Sequence, residues 1–137
     1  MSKAETPKSR IVEKPWGKEV IFAETDKYVG KILYIDKGHK LSRQFHNIKD
    51  ETFYVQKGKM ILEIGLDEEA RYAFSQTHNI KEDEHLSKII TMKKGDTFHC
   101  PPGTIHRMIA VTDVKVFEVS TPELEDVVRL EDDYNRV

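Results

Sequence analysis

The sequence predicts an all-β domain, either a barrel or a jelly roll made of two packed sheets. Short stretches rich in β-branched and aromatic residues recur along the chain, as in residues 28–36. Glycine and proline clusters separate these stretches, most densely in residues 94–103. A length of 137 residues is expected for one domain. Short strands at close spacing between turns are typical of closed all-β architectures.

The predicted elements follow one another with few interruptions. Residues 1–11 are polar and predict a flexible tail, so the domain is expected to span 12–137. Strands are predicted at 19–22, 28–36, 41–46, 52–57, 60–65, 88–92, 96–100, 105–111 and 114–120.

Two segments fall outside the strand pattern. Residues 67–87 are charged and show no clear period, which favours an extended loop or hairpin insertion over a second metal site at His78 and His85. Near the end of the chain, Thr121 is expected to cap a short helical segment that has Glu123 and Glu125 in its first turn.

Composition excludes several classes of function. Acidic and basic residues are interspersed and the net charge is −2, which argues against a nucleic-acid partner. No apolar run approaches the roughly 18 residues of a membrane span, so no membrane partner is expected. The first ten residues lack the apolar core of a signal peptide. The single cysteine, Cys100, cannot form an internal disulfide, and we therefore predict a cytoplasmic protein.

The stretch from Gly38 to Gly58 carries the spacing of a metal site. Gln44 and His46 are two residues apart, so on a strand they point to the same face, and Glu51 opens the next strand. A second stretch, from Gly95 to His106, contains a Pro-Pro-Gly turn and offers a further imidazole. The predicted ligands of one divalent metal ion are Gln44, His46, Glu51 and His106. Two nitrogens and two oxygens suit Zn²⁺, which we prefer, or Mn²⁺, Fe²⁺, Co²⁺ or Ni²⁺.

Both spacings resemble the paired motifs of the cupin superfamily. The resemblance implies a double-stranded β-helix, or jelly-roll barrel, that holds the metal inside. The first motif of that family normally has a histidine where Gln44 stands, and the second normally has an asparagine where Ala110 stands. The glycines, His46, Glu51 and His106 fit the motifs.

A narrower resemblance is to the isomerase domain of type II mannose-6-phosphate isomerases, here as a single-domain cupin. Their metal is held by glutamine, two histidines and glutamate. Residues 14–17 (KPWG), 40–46 (KLSRQFH) and 125–136 are similar to the Arg-Pro-Trp-Gly, Lys-Leu-Ser-Leu-Gln-Met-His and closing motifs of that domain. The chain departs from it at Ile48, Lys49, Thr52 and Asn135.

This resemblance implies a metal-dependent sugar-phosphate isomerase that interconverts an aldose and a ketose. Lys40 and His99, followed by Glu63, are the candidate general bases, and Lys40 is favoured because it shares the strand face of the ligands. Arg129 and Lys40 are the candidates for binding substrate, a sugar or sugar phosphate. The alternative is a metal-containing cupin that binds or otherwise modifies a sugar or small carboxylate. The cupin resemblance also implies a homodimer.

Overall fold

The computed structural model describes residues 4–65 and 87–136, and within these ranges the chain forms strands and no helix. The strands of the described ranges are β1 (Arg10–Lys14), β2 (Gly17–Glu24), β3 (Val29–Ile35), β4 (Arg43–Phe45), β5 (Glu51–Lys57), β6 (Lys59–Gly65), β7 (Ser87–Lys93), β8 (Thr97–Cys100), β9 (His106–Ala110), β10 (Val114–Ser120) and β11 (Val128–Glu131). No helix of the described ranges is long and apolar enough to cross a membrane.

The strands form two antiparallel sheets. One sheet has the order β1-β2-β3-β10-β5-β8 and the other the order β11-β4-β9-β6-β7, so neighbours in space are mostly distant in sequence. This is the jelly-roll architecture that the sequence predicts.

Alternation along the strands places an apolar core between the two sheets. On β5, Phe53 and Val55 are completely buried, whereas Tyr54 between them is exposed. Met60 and Leu62 of β6 reach the same core from the opposite sheet. The cavity described below lies at the end of the core where β4 ends and where β5 and β9 begin.

Gly58 allows the tight connection between β5 and β6. Its φ angle is 88°, a left-handed conformation that side chains disfavour. A Cβ atom at this position would lie 2.2 Å from the carbonyl oxygen of Asp113. No larger residue therefore fits this turn, which joins the strands predicted at 52–57 and 60–65.

The C-terminal segment differs from the prediction of a short helix. Residues 122–127 form bends and turns, and the chain then continues as β11, which pairs with β4. A helix of one or two turns is marginal unless it packs on a core. Pairing with β4 instead satisfies the backbone of Val128 and Arg129, which lie opposite Phe45 and Gln44.

The N-terminal boundary is close to the expected one. Strand β1 begins at Arg10, which pairs with Ile21. Arg10 and Ile11 therefore belong to a strand, although the sequence predicts that they are part of the flexible tail. The prediction for 67–87 lies outside the described residues, apart from Ser87, the first residue of β7.

Candidate metal centre

Three predicted ligands meet at one end of the space between the sheets. Glu51 is the first residue of β5, His106 is the first residue of β9, and His46 directly follows β4. One ligand atom from each residue lies within 4.8 Å of the other two, and all three side chains are buried. The spacing in the sequence therefore identifies residues that the fold brings together.

The hydrogen bonds of the two histidines fix which nitrogen faces this point. Nδ1 of His46 donates to the carbonyl oxygen of Asp126, and Nδ1 of His106 donates to the carbonyl oxygen of Thr104 at 2.9 Å. A carbonyl oxygen only accepts, so Nδ1 carries the proton in both rings. Each Nε2 therefore presents a lone pair, which is the arrangement of a metal-binding histidine.

The converging atoms lack partners. His46 Nε2, Glu51 Oε2 and His106 Nε2 are buried, and none of them has a hydrogen-bond partner among the described residues. His46 Nε2 lies 3.2 Å from Glu51 Oε2, but two acceptors cannot form a hydrogen bond without a proton between them. Three buried acceptors that face one another need a cation, and the donor set suits a divalent metal.

Electrostatics favours the protonation states that metal binding requires. Burial lowers the pKa of His106 and keeps its ring neutral. Burial by itself raises the pKa of Glu51, but the adjacent His46 and then Lys49 outweigh it, so the pKa lies below its usual value. Both groups therefore have the charge of a metal ligand.

Gln44 lies beside these residues. It pairs with His106 across β4 and β9, and its side chain lines the same cavity as His46 and Glu51. Its Oε1 accepts a hydrogen bond from Ser42 at 3.2 Å. An amide oxygen has two lone pairs, so this bond leaves one of them for a metal.

A line of alternating charges, here called the charged wall, leads away from Glu51 along the cavity. Lys49 Nζ lies 3.7 Å from Glu51 Oε1 and 3.2 Å from Glu118 Oε2. Lys31 Nζ lies 3.6 Å from the same Glu118 oxygen and 3.2 Å from Glu19, and Lys14 Nζ lies 3.6 Å from Glu19. The charged wall therefore consists of Glu51, Lys49, Glu118, Lys31, Glu19 and Lys14.

The charged wall is the feature that the sequence interpretation missed. A signal was present, because Lys31 alternates with Val29, Leu33 and Ile35 and therefore occupies an inward position on β3. Glu118 alternates in the same way with Val114 and Val116 on β10. A lysine and a glutamate at inward positions indicate a buried pair, and Lys31 and Glu118 are indeed register partners.

Arg129 is the predicted substrate-binding residue that reaches the cavity. It lies on β11 opposite Gln44 and lines the cavity that Gln44, His46 and Glu51 also line. Its Nε is buried and has no hydrogen-bond partner in the part of the chain that the structure describes. The other arginine of the lining, Arg136, is bound to Asp132 at 2.8 Å. Arg129 is therefore the guanidinium available to a ligand.

The candidate general bases lie elsewhere. Lys40 precedes β4 in an isolated bridge with Ile109, and its Nζ lies 3.4 Å from Asp133. Glu63 binds Arg43 at 2.6 Å.

His99 also lies outside the cluster of proposed ligands. Its side chain is exposed on β8 and lies 2.7 Å from Asp50. Lys40, Glu63 and His99 are absent from the cavity lining that contains Gln44, His46 and Glu51. The structure therefore brings together the predicted ligands and Arg129 but not the predicted bases.

No family model matches the chain, and no curated protein sequence matches it. Several solved structures are similar to it. KdgF from Halomonas sp. is 20% identical, with a TM-score of 0.63 over 85% of this chain and 86% of that one. An RmlC-like cupin from Shewanella frigidimarina is 16% identical, with a TM-score of 0.63 and the same coverage of 85% and 86%.

Two further structures are similar over more of this chain. A PAC13 variant from Streptomyces, solved with uridine, is 14% identical, with a TM-score of 0.68 over 96% of this chain and 93% of that one. The capsular polysaccharide assembling protein CapF from Staphylococcus aureus is 17% identical, with a TM-score of 0.64 over 90% of this chain but only 34% of CapF. The strand order and these neighbours give the chain the cupin double-stranded β-helix fold.

Proposed function

We propose that this chain is a metal-dependent cupin that acts on a sugar phosphate and interconverts its aldose and ketose forms. The observation that supports it best is the convergence of His46 Nε2, Glu51 Oε2 and His106 Nε2, three buried acceptors without partners among the described residues. Such a site can hold a divalent ion and still leave room for substrate. Four protein ligands leave one or two positions open on a five- or six-coordinate ion.

Gln44, His46, Glu51 and His106 would hold the metal. When bound, it supplies a Lewis acid that stabilises negative charge on substrate oxygens. The chain itself contributes two fixed imidazoles, since Asp126 and Thr104 hold both rings by Nδ1. Ligands fixed in this way lose little freedom when the metal binds.

Arg129 would bind the phosphate group. A guanidinium is suited to two parallel hydrogen bonds with phosphate oxygens, and Arg129 lines the cavity without an ion-pair partner among the described residues. The names of two neighbours support a sugar-containing ligand: CapF is named for capsular polysaccharide assembly, and PAC13 was solved with the nucleoside uridine.

Isomerisation also needs a group that moves a proton between adjacent carbons. Within the cavity lining, Glu19 and Glu118 are the carboxylates besides the metal ligand Glu51. We favour them over Lys40, His99 and Glu63 because a base must lie within hydrogen-bond reach of the carbon acid.

One observation favours the second candidate function, a cupin that binds a sugar or a small carboxylate without isomerising it. Every acid and base of the charged wall is already ion-paired, at distances of 3.2 to 3.7 Å. A carboxylate that two lysines already hold must break an ion pair to take a proton from substrate, even though burial and the neighbouring Glu51 raise the pKa of Glu118.

A coupled assay decides between the two functions. Mannose-6-phosphate, fructose-6-phosphate and glucose-6-phosphate are offered to the purified chain after each candidate metal has been added back. Turnover that disappears in Arg129→Met and in His106→Ala supports the isomerase. Binding of these sugar phosphates without turnover, with every metal tested, supports the binding protein and contradicts the isomerase.

A further inference from the structure

The charges that line the cavity do not balance once a metal is bound. The three lysines of the charged wall offset its three carboxylates, and Arg136 is offset by Asp132. Because the wall's carboxylates include Glu51, the only charged ligand, a divalent metal would add two positive charges, and Arg129 a third. Uncompensated charge is costly in a buried site, so a metal-loaded cavity requires an anionic ligand.

Lys31 and Lys49 have hydrogen-bonding capacity to spare. Both ammonium groups approach one oxygen, Glu118 Oε2, at 3.6 and 3.2 Å. Each has one further partner, Glu19 for Lys31 and Glu51 for Lys49. An ammonium group has three N–H donors, so each lysine retains one donor without a partner in the described residues.

Both lysines line the cavity that Gln44, His46 and Glu51 also line. Lys49 Nζ lies 3.7 Å from Glu51 Oε1, so this ammonium group lies beside a proposed metal ligand. Burial by itself lowers the pKa of Lys31, but Glu118 and Glu19 outweigh it and hold the pKa above its usual value. Lys31 therefore stays charged despite its burial.

We propose that Lys31 and Lys49, held together by Glu118, form an oxyanion-binding pair beside the metal. The pair would bind one anionic oxygen of the ligand, while Arg129 would bind the other anionic group of the same ligand. This inference rests on the proposed function for its metal, and it extends that function by requiring a ligand with negative charge at two places.

Inorganic phosphate is the probe, and its affinity is measured by calorimetry on the metal-loaded chain. The test variant is Lys31→Met/Glu118→Gln, which removes one charge of each sign and keeps the remaining wall balanced. We expect phosphate to bind about tenfold or more weakly to this variant at equal metal content, since a charge-assisted hydrogen bond is lost. Lys18→Met is the matched control, because Lys18 lies over Tyr34 on the outer face of the same sheet.

Equal phosphate affinity in the variant and the wild type would overturn the proposal, and so would the absence of phosphate binding to the wild type. Because the variant could lose its fold, a second measurement uses the wild type alone. In lysine side-chain NMR, phosphate is expected to shift the Nζ signals of Lys31 and Lys49, assigned by single Lys→Arg variants. Unshifted signals at saturation would contradict the pair. Neither measurement depends on turnover, so failure of the isomerase assay is a separate result.

Discussion

His46 and His106 each use Nδ1 to bind a backbone carbonyl, and this leaves Nε2 as the nitrogen that can bind metal. Glu51 adds one oxygen, and its second oxygen faces Lys49. Each ligand therefore has a second partner that fixes its orientation. Replacing a partner of this kind commonly lowers metal affinity by about 10–100-fold.

His106→Ala is expected to abolish metal binding, because it removes one of four proposed ligands and leaves the other acceptors without a cation. The measurement is metal content by elemental analysis after dialysis of the folded variant. His99→Ala is the control, since the His99 side chain is exposed and does not belong to the cluster of His46, Glu51 and His106. Metal retained at one ion per chain in His106→Ala would show that the site is elsewhere.

Gln44→His tests whether Gln44 is a ligand or a packing residue. If Gln44 is a ligand, the imidazole should keep the metal and bind it more tightly, while turnover falls because the charge distribution around the ion changes. If Gln44 only packs, the larger ring should destabilise the fold by about 1–3 kcal/mol without affecting metal content or the activity per folded molecule. Metal content and melting temperature, measured together, separate these outcomes.

Sequence spacing predicted residues that the fold brings together, because His46, Glu51 and His106 lie at or next to the strand ends that the motifs define. It misplaced Lys40, since alternation was extended through a segment that forms only an isolated bridge before the short strand β4. Alternation along a single strand is not enough to predict the charged wall. The alternation along β3 shows that Lys31 is buried. Its partners, Glu19 on β2 and Glu118 on β10, follow only from the register in which these three strands pair.

At the scale of elements, the C-terminal segment completes the metal centre. The Asp126 carboxylate accepts hydrogen bonds from the backbone N–H groups of Asn47, Ile48 and Lys49, which hold its pKa at about 2. Its carbonyl oxygen holds His46. A short helix at residues 122–127 would break these contacts. This explains why the capping signal at Thr121 does not lead to a helix.

Asp126→Ala should therefore weaken metal binding by about 10–100-fold, because the loop between His46 and Glu51 loses its fixed position. The measurement is competition for metal with a chromogenic chelator. Asp113→Ala is a matched control, since the Asp113 carboxylate also accepts a backbone hydrogen bond, from Lys37 at 2.8 Å, but this partner lies outside the loop between His46 and Glu51. Equal metal affinity in both variants would contradict a role for Asp126.

Strand β11 should loosen in acid before the core strands do. The hydrogen bond from Arg43 lowers the pKa of Glu131, and the one from Arg136 lowers the pKa of Asp132. A depressed pKa in the folded state stabilises the fold above the unfolded value, and this stabilisation is lost as the pH falls through the folded value.

The loss should begin below the usual pKa values of 4.5 and 3.8 for these two groups. Amide protection factors, which correct for the intrinsic pH dependence of exchange, are compared at about pH 6 and about pH 3. We expect β11 to lose protection while β5 keeps it. Equal losses in β5 and β11 would show that acid unfolds the domain as one unit instead.

At the scale of the whole molecule, the proposed metal joins the two sheets. Glu51 belongs to the six-stranded sheet, whereas Gln44 and His106 belong to the five-stranded sheet. The fold class followed from the sequence because strand patterns and turns are local. The pairing of distant strands, such as β3 with β10, depends on which inward side chains find partners across the fold.

Removing the metal should therefore destabilise the whole domain and not only the site. A ligand that binds the folded state at 100 times its dissociation constant contributes about 2.7 kcal/mol to stability. For a domain of this size that corresponds to a melting temperature lower by roughly 5–20 °C after chelation. Calorimetry before chelation, after it and after one equivalent of Zn²⁺ is restored gives the measurement. His106→Ala is the control, because chelator and Zn²⁺ should leave its melting temperature unchanged. If the chelator leaves the melting temperature of the wild type unchanged, no ion links the two sheets.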